Sequence, residues 1–170
     1  MGHSRPPPDL EAFCRSEHAR LVGVLALYCR DRELAQELAQ DALVRLCRDW
    51  EKVRDLDHPE AWLHWVGLNL ANSFFRRRAA EKRARQRLHP VTESPRAERS
   101  DAELLDALGT LPPRQKAALL LRYYADLSTR ESAQALNCPE GTVKTLVHRG
   151  IKKLRESGAM TGEEENFDVG

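Results

Sequence analysis

The spacing of apolar residues along this chain predicts helices throughout. Apolar side chains recur at intervals of three and four, and no segment shows the strict alternation of a half-buried strand. In the first half the pattern predicts a helix that opens at Pro8 and a second from the N-cap Asp31 to about Trp50. A third helix begins at Pro59 and can continue to Arg87.

The second half of the chain carries two local signals for helix starts. Ser100 and Ser128 are each followed three residues later by Glu, which is the capping-box pattern. The second box predicts a short helix that ends near Asn137, because asparagine tolerates the left-handed conformation at a helix end. Pro139 then begins a last helix, which reaches about Ser157.

A polar segment separates the two sets of helices. Its sequence, LHPVTESPRAER, is interrupted by prolines and has almost nothing to bury, which is typical of a flexible linker. We therefore predict an all-α protein of two small helical domains joined by a flexible linker, with a helix-turn-helix in the C-terminal domain. The predicted boundaries are 9–87 and 100–157 for the domains, 88–99 for the linker and 158–170 for a disordered acidic tail.

The charge of the chain is distributed unevenly. The whole chain is nearly neutral, with 27 Lys and Arg against 26 Asp and Glu. Residues 73–99 alone carry nine basic and three acidic side chains, a net charge of +6, whereas residues 9–72 carry eight and twelve. A basic block fits a contact with a polyanion and fits a solvated helix end equally well, so charge alone does not decide between them.

Composition and motifs argue against several function classes. No stretch approaches the roughly 20 apolar residues that cross a bilayer, and the N-terminus lacks the apolar core of a signal peptide. The four cysteines lie far apart, with no C-x-x-C pair and no histidine at zinc-ligand spacing. No Walker loop, carboxylate pair or activated nucleophile is apparent. We therefore expect a cytoplasmic protein without membrane insertion, catalytic residues, metal or cofactor.

The last predicted helix is sharply two-faced. At 100° per residue one side is apolar, and the other collects hydroxyl, imidazole and basic groups that suit base edges and phosphates. A solvated surface helix accounts for the Lys and Arg equally well, but the preceding capped helix and tight turn favour a DNA-binding helix-turn-helix. The apolar side comprises Val143, Leu146, Val147, Gly150, Ile151 and Leu154.

The segments LPPRQ, LRYYADLS and GTVKTLVHRGIKKLR resemble the promoter-reading C-terminal domain of extracytoplasmic-function sigma factors. Three positions depart from that pattern: Ser132 replaces a β-branched apolar residue, Asn137 a glycine and Gly150 an alanine. The Ser132 hydroxyl is expected near the core. The resemblance implies contact with the −35 promoter element by Arg130, Thr142, Lys144, Thr145, His148, Arg149 and Lys152.

The second helix carries a mixed acidic, amide and apolar face opposite its core side. Such a face suits a protein partner better than nucleic acid, although from physics alone an ordinary solvated helix is the better explanation. The segment ELAQDALVRLCRDW resembles the sigma-factor segment that grips the coiled coil of the largest RNA polymerase subunit. The resemblance implies that core polymerase is contacted by Glu37, Gln40, Asp41 and Val44.

The third helix carries amides, aromatics and arginines on one side. Aromatic rings can stack on unpaired bases, but packing against the first helix accounts for Trp65 and Phe75 equally well. The segment HPEAWLHWVGLNLANSFFRRR resembles the sigma segment that melts and reads the −10 element, and the loop 54–58 has the position that pockets a flipped base there. The implied −10 contacts are Asn69, Asn72, Arg76 and Arg77.

The resemblance extends from about residue 10 to residue 156, with both halves in the family's order. It implies a dissociable subunit that directs core RNA polymerase to promoters. The implied partners are the β′ coiled coil, the β subunit, and duplex and single-stranded promoter DNA, with an anti-sigma factor as a further candidate. The alternative is a helix-turn-helix regulator that binds duplex DNA without polymerase. Such regulators usually dimerise, and no dimerisation helix is evident. A nucleic-acid enzyme is disfavoured because no catalytic constellation is apparent.

Overall fold

The computed structural model describes residues 7–86 and 102–159, and all regular structure within these ranges is helical. This confirms the predicted all-α fold. The predicted linker 88–99, the Ser100 cap and the tail from residue 160 onward lie outside the described residues. The helices are α1 (Pro8–Cys29), α2 (Arg32–Val53), α3 (Pro59–Gln86), α4 (Ala102–Thr110), α5 (Pro113–Leu119) with a following π-helical turn (Leu120–Tyr124), α6 (Thr129–Ala135) and α7 (Glu140–Glu156).

Helices α1, α2 and α3 form a bundle around one apolar core. Arg30 ends α1 in the left-handed conformation, with φ of 57°. Asp31 then begins α2, because its Oδ1 accepts a hydrogen bond from the Leu34 amide at 3.0 Å, as predicted for an N-cap. Leu25 and Leu46 are among the fully buried side chains that fill the space between the helices. No described helix combines the length and the apolar character needed to cross a membrane.

Helices α5, α6 and α7 form the predicted helix-turn-helix half. The Ser128–Glu131 capping box is complete, with each side chain bonded to the other residue's amide, and Asn137 closes the turn at φ of 48°. Ser132 is fully buried and its hydroxyl has no hydrogen-bond partner, in line with the expected position near the core. Gly150 lies against Leu119, since an added Cβ would come 2.8 Å from Leu119 Cδ1.

The two halves pack directly against each other, which the sequence did not predict. Leu120 and Leu121 from the π-helical turn are buried in the same apolar cluster as α1, α2 and α3. The Tyr124 ring lies against the Cα of Gly23 so closely that any side chain at Gly23 would displace it. Lys116 donates a hydrogen bond to the Tyr28 carbonyl at 3.2 Å. We call this arrangement the closed arrangement of the two halves.

A small buried polar group interrupts the N-terminal core. His64 on α3 is completely buried, and neither of its ring nitrogens has a hydrogen-bond partner. Burial lowers the pKa of His64 to about 4, with a smaller contribution from Arg20, and burial raises the pKa of Glu17 on α1. His64 is therefore neutral in the folded protein at physiological pH.

Replacement of Leu121 tests whether the two halves share one core. We expect Leu121→Ala to lower the free energy of unfolding by about 2–5 kcal/mol, because it removes a fully buried side chain at the junction. Leu104→Ala, at an exposed leucine of α4, is the matched control and should have little effect. Urea unfolding followed by circular dichroism gives both values, and a Leu121→Ala protein as stable as the control would contradict the shared core.

The burial of His64 predicts a loss of stability in mild acid. The unfolded chain binds a proton at this histidine near its ordinary pKa of 6.5, whereas the folded chain does so only near pH 4. Above pH 6.5, protonation of His64 therefore does not change the free energy of unfolding. Between pH 6.5 and about pH 4 the free energy of unfolding falls by about 1.4 kcal/mol per pH unit. His64→Leu should remove this dependence, whereas His18→Gln, at an exposed position, should keep it.

Unfolding free energies measured at pH 7 and pH 5 check this expectation. The difference between the two variants isolates His64 from the opposite contribution of Glu17, which both variants retain. Equal pH slopes in His64→Leu and wild-type protein would show that His64 does not cause the loss.

Candidate protein and nucleic-acid interfaces

The side chains predicted to contact polymerase form one exposed stripe on α2. Their spacing of three and four residues places them on a single helix face, opposite the buried Leu38 and Leu46. Val44 is 63% exposed, the largest exposed fraction among the exposed large apolar side chains of the described residues. An apolar side chain surrounded by acidic and amide groups is typical of a protein-binding surface. The stripe consists of Glu37, Gln40, Asp41 and Val44.

The side chains predicted to read the −10 element are exposed along α3. Asn69, Asn72 and Arg76 follow one another at intervals of three and four, so they share a face, and Arg77 lies beside them. The Tyr28 hydroxyl donates a 2.6 Å hydrogen bond to Asn72 Oδ1, and burial raises the pKa of Tyr28 to about 12. The phenol therefore stays protonated and leaves the Asn72 NH₂ group free to donate elsewhere.

The aromatic residues of α3 divide into core and surface groups. Trp62 and Phe74 pack against the N-terminal core. Trp65 and Phe75 remain 40% and 37% exposed, and Phe75 meets Phe74 edge-on with ring centroids 5.6 Å apart. Part of each exposed ring is thus available to a ligand. Beyond Phe75 the helix carries exposed basic side chains on all sides: Arg76, Arg77, Arg78, Lys82, Arg83 and Arg85.

The loop before α3 lines a cavity between the two halves. Leu56, Asp57 and His58 form one wall with Trp62 and Trp65, and Gln134 and Asn137 of the C-terminal half form the other. The cavity has a volume of about 440 Å³, which is in the range of small-ligand pockets. The loop predicted to hold a flipped base thus faces the C-terminal half in the closed arrangement.

Most of the side chains predicted to read the −35 element lie exposed in the helix-turn-helix. Thr142 is the exception, since it is partly buried at the start of α7. The Thr145 hydroxyl bonds the Gly141 carbonyl at 3.0 Å, and Arg130 on α6 forms an exposed ion pair with Asp57 at 3.8 Å. The remaining members form the outward surface of α7: Lys144, Thr145, His148, Arg149 and Lys152.

A second cleft separates the −10 amides from the C-terminal half. Asn69 and Asn72 form one wall, and the opposite wall includes Pro113, Arg114 and Leu136 from α5 and the end of α6. The cleft holds about 360 Å³. Sequence reasoning missed these C-terminal residues, because nothing in their local pattern indicates which distant helix they face.

A cluster at the end of the loop 54–58 brings possible metal ligands together within the described residues. It consists of His58, Glu60 and Glu131, whose ligand atoms lie within 4.8 Å of one another. The sequence predicted no metal site because Glu131 is distant in the chain from His58 and Glu60.

Two family models match the chain in consecutive segments. The model described as Sigma-70 region 2 matches residues 13–81, and the model described as Sigma-70, region 4 matches residues 101–154. Region 2 thus covers most of α1, all of α2 and most of α3, and region 4 covers α4 to nearly the end of α7. The two matches lie in the same order as the two predicted domains.

Curated relatives match over most of their own length. The RNA polymerase sigma-E factor of Streptomyces coelicolor is 31% identical over 87% of this chain and 85% of the relative. The ECF RNA polymerase sigma factor SigL of Mycobacterium tuberculosis is 30% identical over 82% and 83% of the two chains.

A solved structure shows the same fold. In the co-crystal structure of the sigma factor RpoE with the anti-sigma factor NepR from Bartonella quintana, a chain superposes with a TM-score of 0.78 at 19% identity. The superposition covers 92% of this chain and all of the other. Both family regions agree with relatives that are matched over most of their length. The chain therefore belongs to the sigma-70 family as an extracytoplasmic-function sigma factor, an alternative sigma factor that directs transcription with RNA polymerase.

Proposed function

We propose that the three faces divide the work of promoter-specific initiation. The α2 stripe binds the β′ coiled coil of core polymerase, α3 reads the single-stranded −10 element, and α6–α7 read the duplex −35 element, with a further contact to the β subunit. The observation that carries the proposal is the exposure of the α2 stripe on a face separate from both DNA-reading surfaces. Polymerase supplies the catalysis, so this chain needs no catalytic residue and acts in the cytoplasm.

The chemistry of each face supports this division. The Asn72 amide, with its oxygen held by Tyr28, offers donors to a base edge, and the adjoining arginines offer charge to phosphate without sequence information. The α7 surface places hydroxyl, imidazole and guanidinium groups on a helix of suitable width for a major groove. The α2 stripe is acidic and apolar, which disfavours nucleic acid and suits protein.

The closed arrangement has to open on a promoter. Helix α6 packs against both α3 and α7, and neighbouring helix axes lie about 8–10 Å apart, so the two DNA-reading helices are separated by roughly 20 Å. The −10 and −35 elements lie about 25 base pairs apart, or roughly 80 Å of duplex. We infer that the contacts between the halves break when both elements are bound, including the Lys116–Tyr28 hydrogen bond and the Arg30–Asp106 ion pair.

A protein inhibitor is a further proposed partner. The solved structures of similar fold include the complex of RpoE with the anti-sigma factor NepR and that of CnrH with the cytosolic domain of CnrY. An inhibitor that covers the α2 stripe or the cleft between the halves would prevent initiation without contacting DNA. The alternative of a regulator that binds duplex DNA without polymerase leaves the α2 stripe without a role.

Run-off transcription tests the proposed function directly. Core polymerase is incubated with a pool of genomic fragments, with and without this protein. We expect discrete start sites that appear only with the protein and that share two upstream elements. Sequence-specific duplex binding by the isolated protein, without any new start sites, would instead favour the regulator.

Paired substitutions test the division of labour. We expect Gln40→Ala with Asp41→Ala to weaken core polymerase binding by about tenfold or more, because such changes remove contacts at the centre of the stripe. Lys144→Ala with Arg149→Ala should leave polymerase binding unchanged and reduce promoter-directed initiation, because it removes base and phosphate contacts. Both pairs are exposed, so the fold should be retained.

Polymerase affinity and run-off yield are measured for each pair, with circular dichroism as the control for folding. Glu33→Ala with Gln36→Ala, exposed on α2 one turn before the stripe, is a matched control for the first pair. The division would be wrong if both test pairs reduced polymerase affinity to the same extent.

A further inference from the structure

Three ionisable side chains from the two halves meet at one point of the closed arrangement. His58 and Glu60 stand at the start of α3, and Glu131 stands in the first turn of α6. His58 Nδ1 lies 3.2 Å from Glu60 Oε1 and 3.3 Å from Glu131 Oε1. The side chains of the three are 24%, 23% and 21% exposed, so the cluster is sheltered but remains accessible to a small ion.

Glu131 is held in place by its role as a helix cap. Its Oε2 accepts a 2.5 Å hydrogen bond from the Ser128 amide, and the Glu131 amide donates to Ser128 Oγ at 3.2 Å. One carboxylate oxygen therefore caps α6 while the other faces His58, and a fixed ligand loses little entropy when it binds an ion.

The distances from the imidazole nitrogen to the two carboxylate oxygens fit a small transition-metal ion. Bonds of about 2.0–2.1 Å at a tetrahedral centre set the donor atoms roughly 3.3–3.4 Å apart. The two separations from His58 Nδ1, 3.2 and 3.3 Å, are close to this value, and all three ligand atoms lie within 4.8 Å of one another. One imidazole and two carboxylates suit zinc and its neighbours among the divalent metals, whereas magnesium and calcium prefer oxygen ligands alone.

We propose that His58, Glu60 and Glu131 form a binding site for a zinc-like divalent cation that clasps the two halves in the closed arrangement. Three protein ligands leave one position of the tetrahedron for water. Because Glu131 belongs to the C-terminal half and the other two ligands to the N-terminal half, the complete site exists only when the halves are closed. Binding of the ion therefore stabilises the closed arrangement and, by linkage, opposes the open one. This consequence rests on the proposed opening, whereas the site itself does not.

Zinc titration of the full chain tests the site. The protein is prepared without a purification tag and stripped of metal, and Zn²⁺ binding is measured by calorimetry at neutral pH. We expect one ion per chain, with affinity reduced at least tenfold in Glu131→Gln and in His58→Ala. Glutamine also serves at the third position of a capping box, so Glu131→Gln keeps the cap of α6 while it weakens the ligand.

Two controls keep the result specific. Glu140→Gln removes an exposed glutamate from the first turn of α7, and it should bind zinc as the wild-type chain does. Thiols bind zinc too, so a chain with Cys14→Ser and Cys47→Ser is titrated in parallel and should retain the site. The site would be refuted by the absence of zinc binding, or by equal affinities for Glu131→Gln and Glu140→Gln.

A second readout tests the clasp separately from initiation. Under conditions in which the metal-free chain is partly open, zinc should lower the radius of gyration of the wild-type chain but not that of Glu131→Gln, as measured by small-angle X-ray scattering. A chain that binds zinc through the cluster without any effect on compactness at any salt concentration would overturn the clasp. Neither readout depends on polymerase, so failure of the site and failure of the proposed function are distinguishable.

Discussion

The apolar contact between the two halves is the interaction on which the remaining features of the closed arrangement depend. Each half has only three or four helices, and a domain of that size buries little apolar surface alone. Leu120 and Leu121, together with Leu127, complete a core that α1, α2 and α3 begin. The same contact positions α6 beside α3, and thereby places both clefts and the His58 cluster at the junction of the halves.

This contact holds the two DNA-reading helices closer together than promoter binding requires. The polar bonds across the junction are weak individually, because the Arg30–Asp106 and Arg130–Asp57 pairs are largely exposed and surface ion pairs contribute little. Apolar burial supplies most of the resistance to opening, and polymerase has to provide binding energy of at least that size. A cation at the His58 cluster would add to the resistance. The balance between closed and open forms is therefore a natural point of control.

Local sequence patterns were sufficient to predict the helices and to predict which side chains share an exposed helix face. The Asp31 cap, the Ser128–Glu131 box and the left-handed Asn137 each depend on a few neighbouring residues, so they were predictable. Helical spacing likewise placed the α2 stripe on one exposed face. The closed arrangement was not predictable in this way, since the meeting of Tyr124 with Gly23 is decided by packing between residues that are distant in the chain.

The separation of the two halves before and after promoter binding tests the central claim most directly. Spin labels at Arg32 and Glu103, both exposed and close to the Arg30–Asp106 pair, report this distance in a chain without its native cysteines. Double electron–electron resonance should show a short, narrow distance in the free protein. It should show an increase of tens of ångströms in the complex with polymerase and promoter, as elements roughly 80 Å apart require. A long, broad distribution in the free protein, or an unchanged short distance in the complex, would contradict the account.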